Sequence, residues 1–356
     1  MMKTIKAVSY PVHFQEEAYK ELSNLIAKNN YSTLFILVDE NTFEHCYPKF
    51  ITNLETYKKI EVIEIESGEI NKTIDTCVGL WNTLSELNAD RKSLLINIGG
   101  GVITDMGGFV ASTFKRGIAY INIPTSLLAM VDASVGGKTG VDLGHLKNQI
   151  GVISTPNLVL IDTAFLDTLP KNQMRSGLAE MLKHGLISSK TYWDKFKNLS
   201  KLSLDNLDEL IYESVIIKKH VVENDPFENN LRKTLNYGHT LGHAIESYFL
   251  SHKNKTTLLH GEAIIVGMIL ASYISTQLTG LSLETTQEIK NLFMSYYDKV
   301  EIDEIEYEPI IDLLKYDKKN NHGNINFVLL ESIGNPITDC LVDDNIIHDA
   351  FKFYAE

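Results

Sequence analysis

The sequence predicts an α/β domain followed by a mostly α-helical one, and three observations carry that prediction. Short β-rich runs alternate with helical patterns through the first 170 residues, and from Met174 onward amphipathic helical spacing takes over. Glycine is crowded into the first pattern, with eleven of the chain's 22 glycines lying between Gly99 and Gly151. Alternating strands and helices bury their apolar faces as a parallel sheet covered by helices, whereas sustained helical periodicity calls for helix-on-helix packing. At 356 residues the chain is longer than the ~100–200 residues usual for one domain. Asp167-Thr168-Leu169-Pro170 interrupts the pattern, so the expected domains are 1–170 and 171–356.

In order along the chain, Thr33 to Val38 is a continuous apolar, β-branched run that ends at Asp39 and reads as a buried strand. Val62 to Ile65 is a second strand, and Thr73 to Asn88 repeats apolar residues at helical spacing. Ser93 to Ile98 is a third strand and runs directly into Gly99-Gly100-Gly101. Ala119 to Ile123 and Leu158 to Asp162 complete the set. Helices are then expected over 174–187, 190–198, 205–224, 231–249, 260–279 and 284–299, with one late strand over 325–330. No internal repeat or low-complexity segment is visible.

Composition narrows the function. The 44% hydrophobic content is that of a globular chain, and excludes disordered and collagen-like classes. Lys and Arg number 33 against 46 Asp and Glu, a formal charge of −13, which disfavours nucleic acid and anionic membrane as partners. A small pocket can still gather positive charge locally. Cys46, Cys77 and Cys340 are few and far apart, which argues against a disulfide framework or a cysteine zinc site and suits a reducing, cytoplasmic compartment. No apolar segment follows the N-terminal residues as in a signal peptide, and the longest uncharged apolar stretch, Ala263 to Ile274, falls short of the ~18–20 residues that span a bilayer.

Three segments carry candidate chemistry. Gly99-Gly100-Gly101 lies between a strand and a helix, where backbone N–H groups and the positive helix end form a cradle for a pyrophosphate. Thr104 breaks the GxGxxG pattern, so a plain tight turn remains the alternative. Asp39 at a strand end can meet ribose hydroxyls or cap a helix. Pro124 to Lys138 ends in Gly136-Gly137-Lys138, and Lys147-Asn148 follows; the lysines suit a phosphate or carboxylate, or belong to an ordinary surface loop. His239 and His243 stand four apart and share a helix face, as in a zinc-protease helix, but Thr240 stands where that motif has its general-base Glu. With His260 at the start of the next helix and Glu180 amid apolar neighbours, two imidazoles and a carboxylate can make a catalytic zinc site with an open position. Lys183 lies one turn from Glu180 and faces the same side. Core histidines and a helix salt bridge are the competing explanation.

These residues together resemble the 3-dehydroquinate synthase family of sugar-phosphate cyclases over nearly the whole chain. The densest blocks are Gly99 to Asp105, Pro124 to Lys138, Lys147 to Gly151, Gly177 to Gly185, Arg232 to Glu246 and Leu259 to Glu262. The resemblance implies a Rossmann-like NAD-binding domain and a helical metal- and substrate-binding domain. It places the metal, Zn2+ or Co2+, on Glu180, His239 and His260, with His243 facing substrate. It places NAD on Asp39, Glu69, Lys72, Gly100, Gly101, Val102, Asp105, Thr125, Ser126, Lys138, Lys147 and Thr168. The substrate and catalytic residues are Asp132, Lys138, Asn148, Lys183, Lys218, Arg232, Asn236 and His243, with Lys319 favoured over Lys318 for the phosphate. Arg116 matches an arginine that reaches into a neighbouring subunit's site, which implies a homodimer. Asp225-Pro226 stands where the family often has Asp-Glu, and 247–259 is longer than in many members.

The implied reaction converts 3-deoxy-D-arabino-heptulosonate 7-phosphate to 3-dehydroquinate and phosphate, within aromatic amino acid biosynthesis. Oxidation at C5 is followed by phosphate elimination, re-reduction, ring opening and aldol closure, with NAD restored each turn. Rival readings are a cyclase making an inosose or valiolone, and a metal-dependent alcohol or glycerol dehydrogenase. The pair Arg232 and Lys218 favours a substrate bearing a carboxylate over both.

Overall fold

The structure, a computed structural model, describes residues 3–356 apart from 8, 145, 198–203, 253 and 315–324. The chain divides into two compact units, Met1–Met174 and Arg175–Glu356.

In the first unit, β1 (Ile5–Lys6), β2 (Pro11–Phe14), α1 (Gln15–Lys28), β3 (Thr33–Asp39), α2 (Glu40–His45) and α3 (Tyr47–Asn53) lead to β4 (Lys59–Ile65). After α4 (Ile74–Glu86) come β5 (Leu94–Gly99), α5 (Gly101–Thr113) and β6 (Ala119–Pro124). A hairpin of β7 (Lys138–Leu143) and β8 (Leu146–Ile153) precedes β9 (Leu158–Ile161). Seven strands form one sheet in the order β1-β2-β9-β6-β5-β3-β4, parallel throughout except for the β1–β2 pair. Every residue of β5 is buried, because a parallel sheet is covered on both faces; this is why β3 and β5 read as unbroken apolar runs. Asn97 and Asn122 are directly paired across β5 and β6, and the Asn97 amide donates to Asn122 Oδ1 at 2.9 Å.

Strand order fixes where a ligand can sit. From β3 the chain steps outward to β4, whereas from β5 it steps the other way to β6. The connections therefore diverge between β3 and β5, and in open α/β sheets the crevice at such strand ends takes the ligand. Leu37 pairs with Asn97, which brings Asp39 level with Gly99 at the ends of the two strands.

The second unit contains α6 (Lys171–Ser188, whose first turn carries the division), α7 (Lys190–Asp194), α8 (Leu204–Asn224), α9 (His239–Ser251), α10 (His260–Leu278), α11 (Leu283–Met294) and α12 (Glu304–Leu313). A hairpin of β10 (Asn326–Ser332) and β11 (Asn335–Leu341) and a last helix, α13 (Asp344–Ala355), complete it. Although α10 is long and apolar enough to cross a membrane, it is the core helix of this unit, buried on nearly every face against α9, α11, α13 and β10.

Several expectations need correction. The single helix expected over 231–249 is broken: a 3-10 turn covers Leu231–Asn236, Gly238 takes φ 76°, and α9 begins at His239. Left-handed backbone at Gly238 favours glycine, and a Cβ there would lie 2.4 Å from Met268 Cγ and 2.8 Å from Met268 N on α10. Lys138 and Lys147 lie on β7 and β8, a strand pair that was not expected. β1, β2, α1, β11, α12 and α13 were not expected, and helix 284–299 ends at Met294.

Glycine positions give a direct stability test. Gly238→Ala adds strain and a clash at the α9–α10 crossing and should cost about 2 kcal/mol or more. Gly79→Ala, in α4 with open space around the added Cβ, should stabilise by about 0.5–1 kcal/mol. Urea unfolding followed by circular dichroism reads both.

Candidate active site

Glu180 lies in the middle of α6 and has no exposed surface. An ionised carboxylate in that position costs several kcal/mol unless positive charge or hydrogen-bond donors meet it. Lys183, one turn along and itself buried, pairs with Glu180 Oε2. The other oxygen, Oε1, is 3.5 Å from His239 Nε2 and 3.5 Å from His260 Nε2. These histidines are the first residues of α9 and α10, so two helix starts converge on one carboxylate oxygen. Close approach of α6 and α10 is needed for this: the Ser176 hydroxyl accepts the Gly261 N–H at 3.0 Å, and a Cβ on Gly261 would lie 2.3 Å from Ser176 O.

The opposite nitrogens of both rings are engaged. His239 Nδ1 is 3.2 Å from the Tyr237 carbonyl oxygen, and His260 Nδ1 is 3.4 Å from Glu246 Oε2. With Nδ1–H donating there, Nε2 of each ring faces Glu180, where it can bind an ion once it has given up its own proton. Atoms held ~2.0–2.1 Å from one tetrahedral zinc stand about 3.4 Å apart, close to the observed 3.5 Å. The donor set and spacing therefore fit a divalent ion. Burial opposes protonation of His260, but Glu180 and Glu246 outweigh it and push the imidazole up to about 10, so this spot holds positive charge strongly. His243 is also near: its ring centroid is 5.1 Å from that of His239 and 5.7 Å from that of His260, and nitrogens of the three rings lie within 4.8 Å of one another.

In the same unit, Arg232 and Lys218 are buried cations. Asp225 folds the segment that presents Arg232: its carboxylate accepts the backbone N–H groups of Asn229, Asn230 and Arg232 at 2.9, 2.7 and 3.0 Å. Burial works against that carboxylate's charge, yet the three amides hold its pKa below the ordinary value. Arg232 Nη1 donates to the Pro226 carbonyl at 2.8 Å, and the Asn236 amide donates to Glu228 Oε1 at 2.7 Å.

In the first unit, α5 starts at Gly101 with Gly100 as its N-cap, and among the described residues no side chain caps it. An uncapped helix start at the end of β5 offers its N–H groups and positive end to a phosphate. Thr125 N–H donates to Gly99 O at 3.0 Å, and Ser126 lies beside Gly100. Lys72 is buried and its Nζ donates to Asp105 Oδ2 and Asn148 Oδ1, both at 2.7 Å. Burial would lower its pKa, but Asp105 and Glu69 outweigh this and raise it. Lys147 Nζ pairs with Glu69 Oε1 at 3.0 Å. Asp39 takes the helix-cap role left open by its position: Oδ1 accepts from Thr42 N–H at 2.8 Å and Thr42 Oγ1 at 2.9 Å. Val102 is half-buried in the first turn of α5, Asp132 half-buried in a π-turn, and Lys138, Thr168 and Arg116 are exposed. Lys318 and Lys319 lie outside the described residues.

Comparison with known proteins identifies the family. The 3-dehydroquinate synthase N-terminal family matches residues 62–176 and its C-terminal counterpart matches residues 177–320. The 3-dehydroquinate synthase of Parabacteroides distasonis is 41% identical over 338 residues, covering 94% of this chain and 95% of that protein. The chain belongs to the 3-dehydroquinate synthase family. Among solved structures it is similar to a 2-deoxy-scyllo-inosose synthase complexed with carbaglucose-6-phosphate, NAD+ and Co2+, with TM-score 0.85 and 24% identity over 99% of both chains. It is also similar to the 2-epi-5-epi-valiolone synthase of Streptomyces hygroscopicus with NAD+ and Zn2+ bound, with TM-score 0.83 and 24% identity over 100% of this chain and 99% of that one. At that identity these two establish the fold, and they bear out the expected α/β domain with a helical partner.

This 3-dehydroquinate synthase family member thus carries, near its candidate metal ligands and Arg232, supporting residues that the sequence pattern does not mark. Ser176 and Asp225 hold backbone in place through contacts no local pattern announces. Glu246 did leave a signal, since positions 239, 243 and 246 share one face of α9. The geometry makes a separable prediction. Alanine at Glu180, His239 or His260 should abolish stoichiometric zinc binding, measured by metal analysis after gel filtration. His243→Ala should retain one zinc, and its loss would make His243 a ligand.

Proposed function

We propose that this chain is a phosphate-eliminating lyase that converts 3-deoxy-D-arabino-heptulosonate 7-phosphate to 3-dehydroquinate, using NAD and a divalent metal, Zn2+ or Co2+. The observation that carries the reading is the convergence of His239 and His260 Nε2 on one oxygen of the buried Glu180, in a chain 41% identical to a named 3-dehydroquinate synthase. When bound, the metal on Glu180, His239 and His260 supplies Lewis acidity toward substrate hydroxyls, and NAD supplies reversible redox chemistry at C5.

The remaining work falls to the chain's own residues. Arg232 offers a planar fork that matches the substrate carboxylate, with Lys218 adding charge. Asp225 holds the Arg232 backbone in place through its three amide contacts. Lys138, Asn148, Asn236 and Lys319 serve the phosphate, and His243 is suited to carry a proton at neutral pH. Lys183 balances the charge of Glu180. Asp132 joins the substrate residues. On the nucleotide side, the start of α5 with Gly100, Gly101 and Val102 receives the pyrophosphate, flanked by Thr125, Ser126 and Thr168. The ion pairs Lys72–Asp105 and Lys147–Glu69 brace that region. Asp39 uses Oδ1 for its helix cap, so Oδ2 is the oxygen that meets a ribose hydroxyl.

The working form we infer is a cytoplasmic homodimer. Arg116 supports it: the residue is exposed at φ 69°, directly after Lys115 at φ 49°, and so is accessible to a second copy.

Supplied with the heptulosonate phosphate, zinc and NAD at far below substrate concentration, the protein should release phosphate and 3-dehydroquinate in equal amounts with no build-up of NADH. Steady NADH accumulation would indicate a dehydrogenase, and turnover of a sugar phosphate lacking the carboxylate would indicate another cyclase. Arg232→Ala should raise KM roughly 100-fold, the loss of a charge-assisted pair, and leave NAD affinity unchanged. Equal loss of both affinities would mean the fold had been damaged instead.

A further inference from the structure

The two histidines facing Glu180 are held from behind by different groups. His239 Nδ1 meets a backbone carbonyl, that of Tyr237, whereas His260 Nδ1 meets the carboxylate of Glu246. Glu246 is buried and lies on α9, so the helix that begins with His239 also carries the partner of the histidine that begins α10. We infer that Glu246 is a positioning residue that fixes the ring of His260 and strengthens metal binding through it. The inference rests on the reading that Glu180, His239 and His260 hold the metal.

An imidazole that donates Nδ1–H to a carboxylate is a stronger donor at Nε2 than one bonded to a neutral carbonyl, and its ring cannot rotate away. At 3.4 Å the His260 Nδ1–Glu246 Oε2 contact is at the long end of hydrogen-bonding distance, and it sets the direction in which the ring faces Glu180. Glu246 also adds a second negative charge near the ion, beyond that of Glu180. Sequence distance supports a built arrangement: residues 239, 243 and 246 lie on one face of α9, and all three reach the same group of rings.

The test measures zinc affinity itself. Wild type, Glu246→Gln, Glu246→Ala and His260→Ala are stripped of metal and titrated with zinc against a chromophoric chelator, and the thermal unfolding of each metal-free protein is recorded. Glu246→Ala should bind zinc roughly 10–100-fold more weakly than wild type, and the isosteric Glu246→Gln at least threefold more weakly, with metal-free unfolding temperatures close to wild type. Both variants binding zinc within threefold of wild type, whether or not they unfold at lower temperature, would overturn the inference and leave Glu246 a purely structural residue. If Glu246→Ala does not fold, Glu246→Gln decides alone by the same threefold threshold. Wild-type zinc affinity in His260→Ala would overturn the metal reading itself, a result separate from any outcome at position 246.

Discussion

A carboxylate cut off from water has to be answered by positive charge, and Glu180 imposes that demand on the second unit. Lys183 answers one oxygen, and His239 and His260 stand before the other. Satisfying these contacts fixes much else. The starts of α9 and α10 must both reach α6, so the backbones cross closely at Gly238 and at Gly261, where no larger side chain fits. Ser176, one turn before Glu180, ties the start of α10 to α6 through the Gly261 amide. The same interior that makes Glu180 costly makes it useful, since a cation attracted there meets little competing water. His260 shows how strong that attraction is: two carboxylates overcome the burial that would otherwise keep its ring neutral.

The first unit solves a different problem with different means. Its sheet presents the ends of β3 and β5 side by side where the chain connections diverge, and the start of α5 adds its first-turn N–H groups, which no side chain caps among the described residues. Around it the charged residues are paired with one another, Lys72 with Asp105 and Asn148, Lys147 with Glu69. The chain's charge of −13 therefore says little about its chemistry. What matters is that Lys72, Lys183, Lys218 and Arg232 are buried, where each cation is placed for a purpose its surroundings define.

How much of this was legible in the sequence follows from what each element has to bury. β3, β5 and β9 read clearly because both faces of a parallel sheet are covered and their residues are uniformly apolar. β11 alternates exposed and half-buried residues at an edge, and β1 has only two residues, so neither leaves a pattern strong enough to see. The break at Gly238 was hidden because apolar spacing runs through it; only the tight crossing with Met268 requires the left-handed turn. At the site, the ligand candidates Glu180, His239 and His260 could be found by residue type and spacing. Their supports could not, because Tyr237 acts through a carbonyl, Ser176 through a contact 85 residues away in sequence, and Asp225 through three backbone amides. Asp39 was legible only as a pair of alternatives, and the structure shows the helix cap.

The proposed chemistry depends on a metal ion being held by one carboxylate and two imidazoles at the meeting of α6, α9 and α10. Anomalous X-ray diffraction at the zinc edge from zinc-loaded crystals tests this directly. The expected result is one strong anomalous peak bonded to Glu180, to His239 Nε2 and to His260 Nε2. A peak bound elsewhere, or one at this position with Glu180 turned away and His243 in its place, would contradict the account.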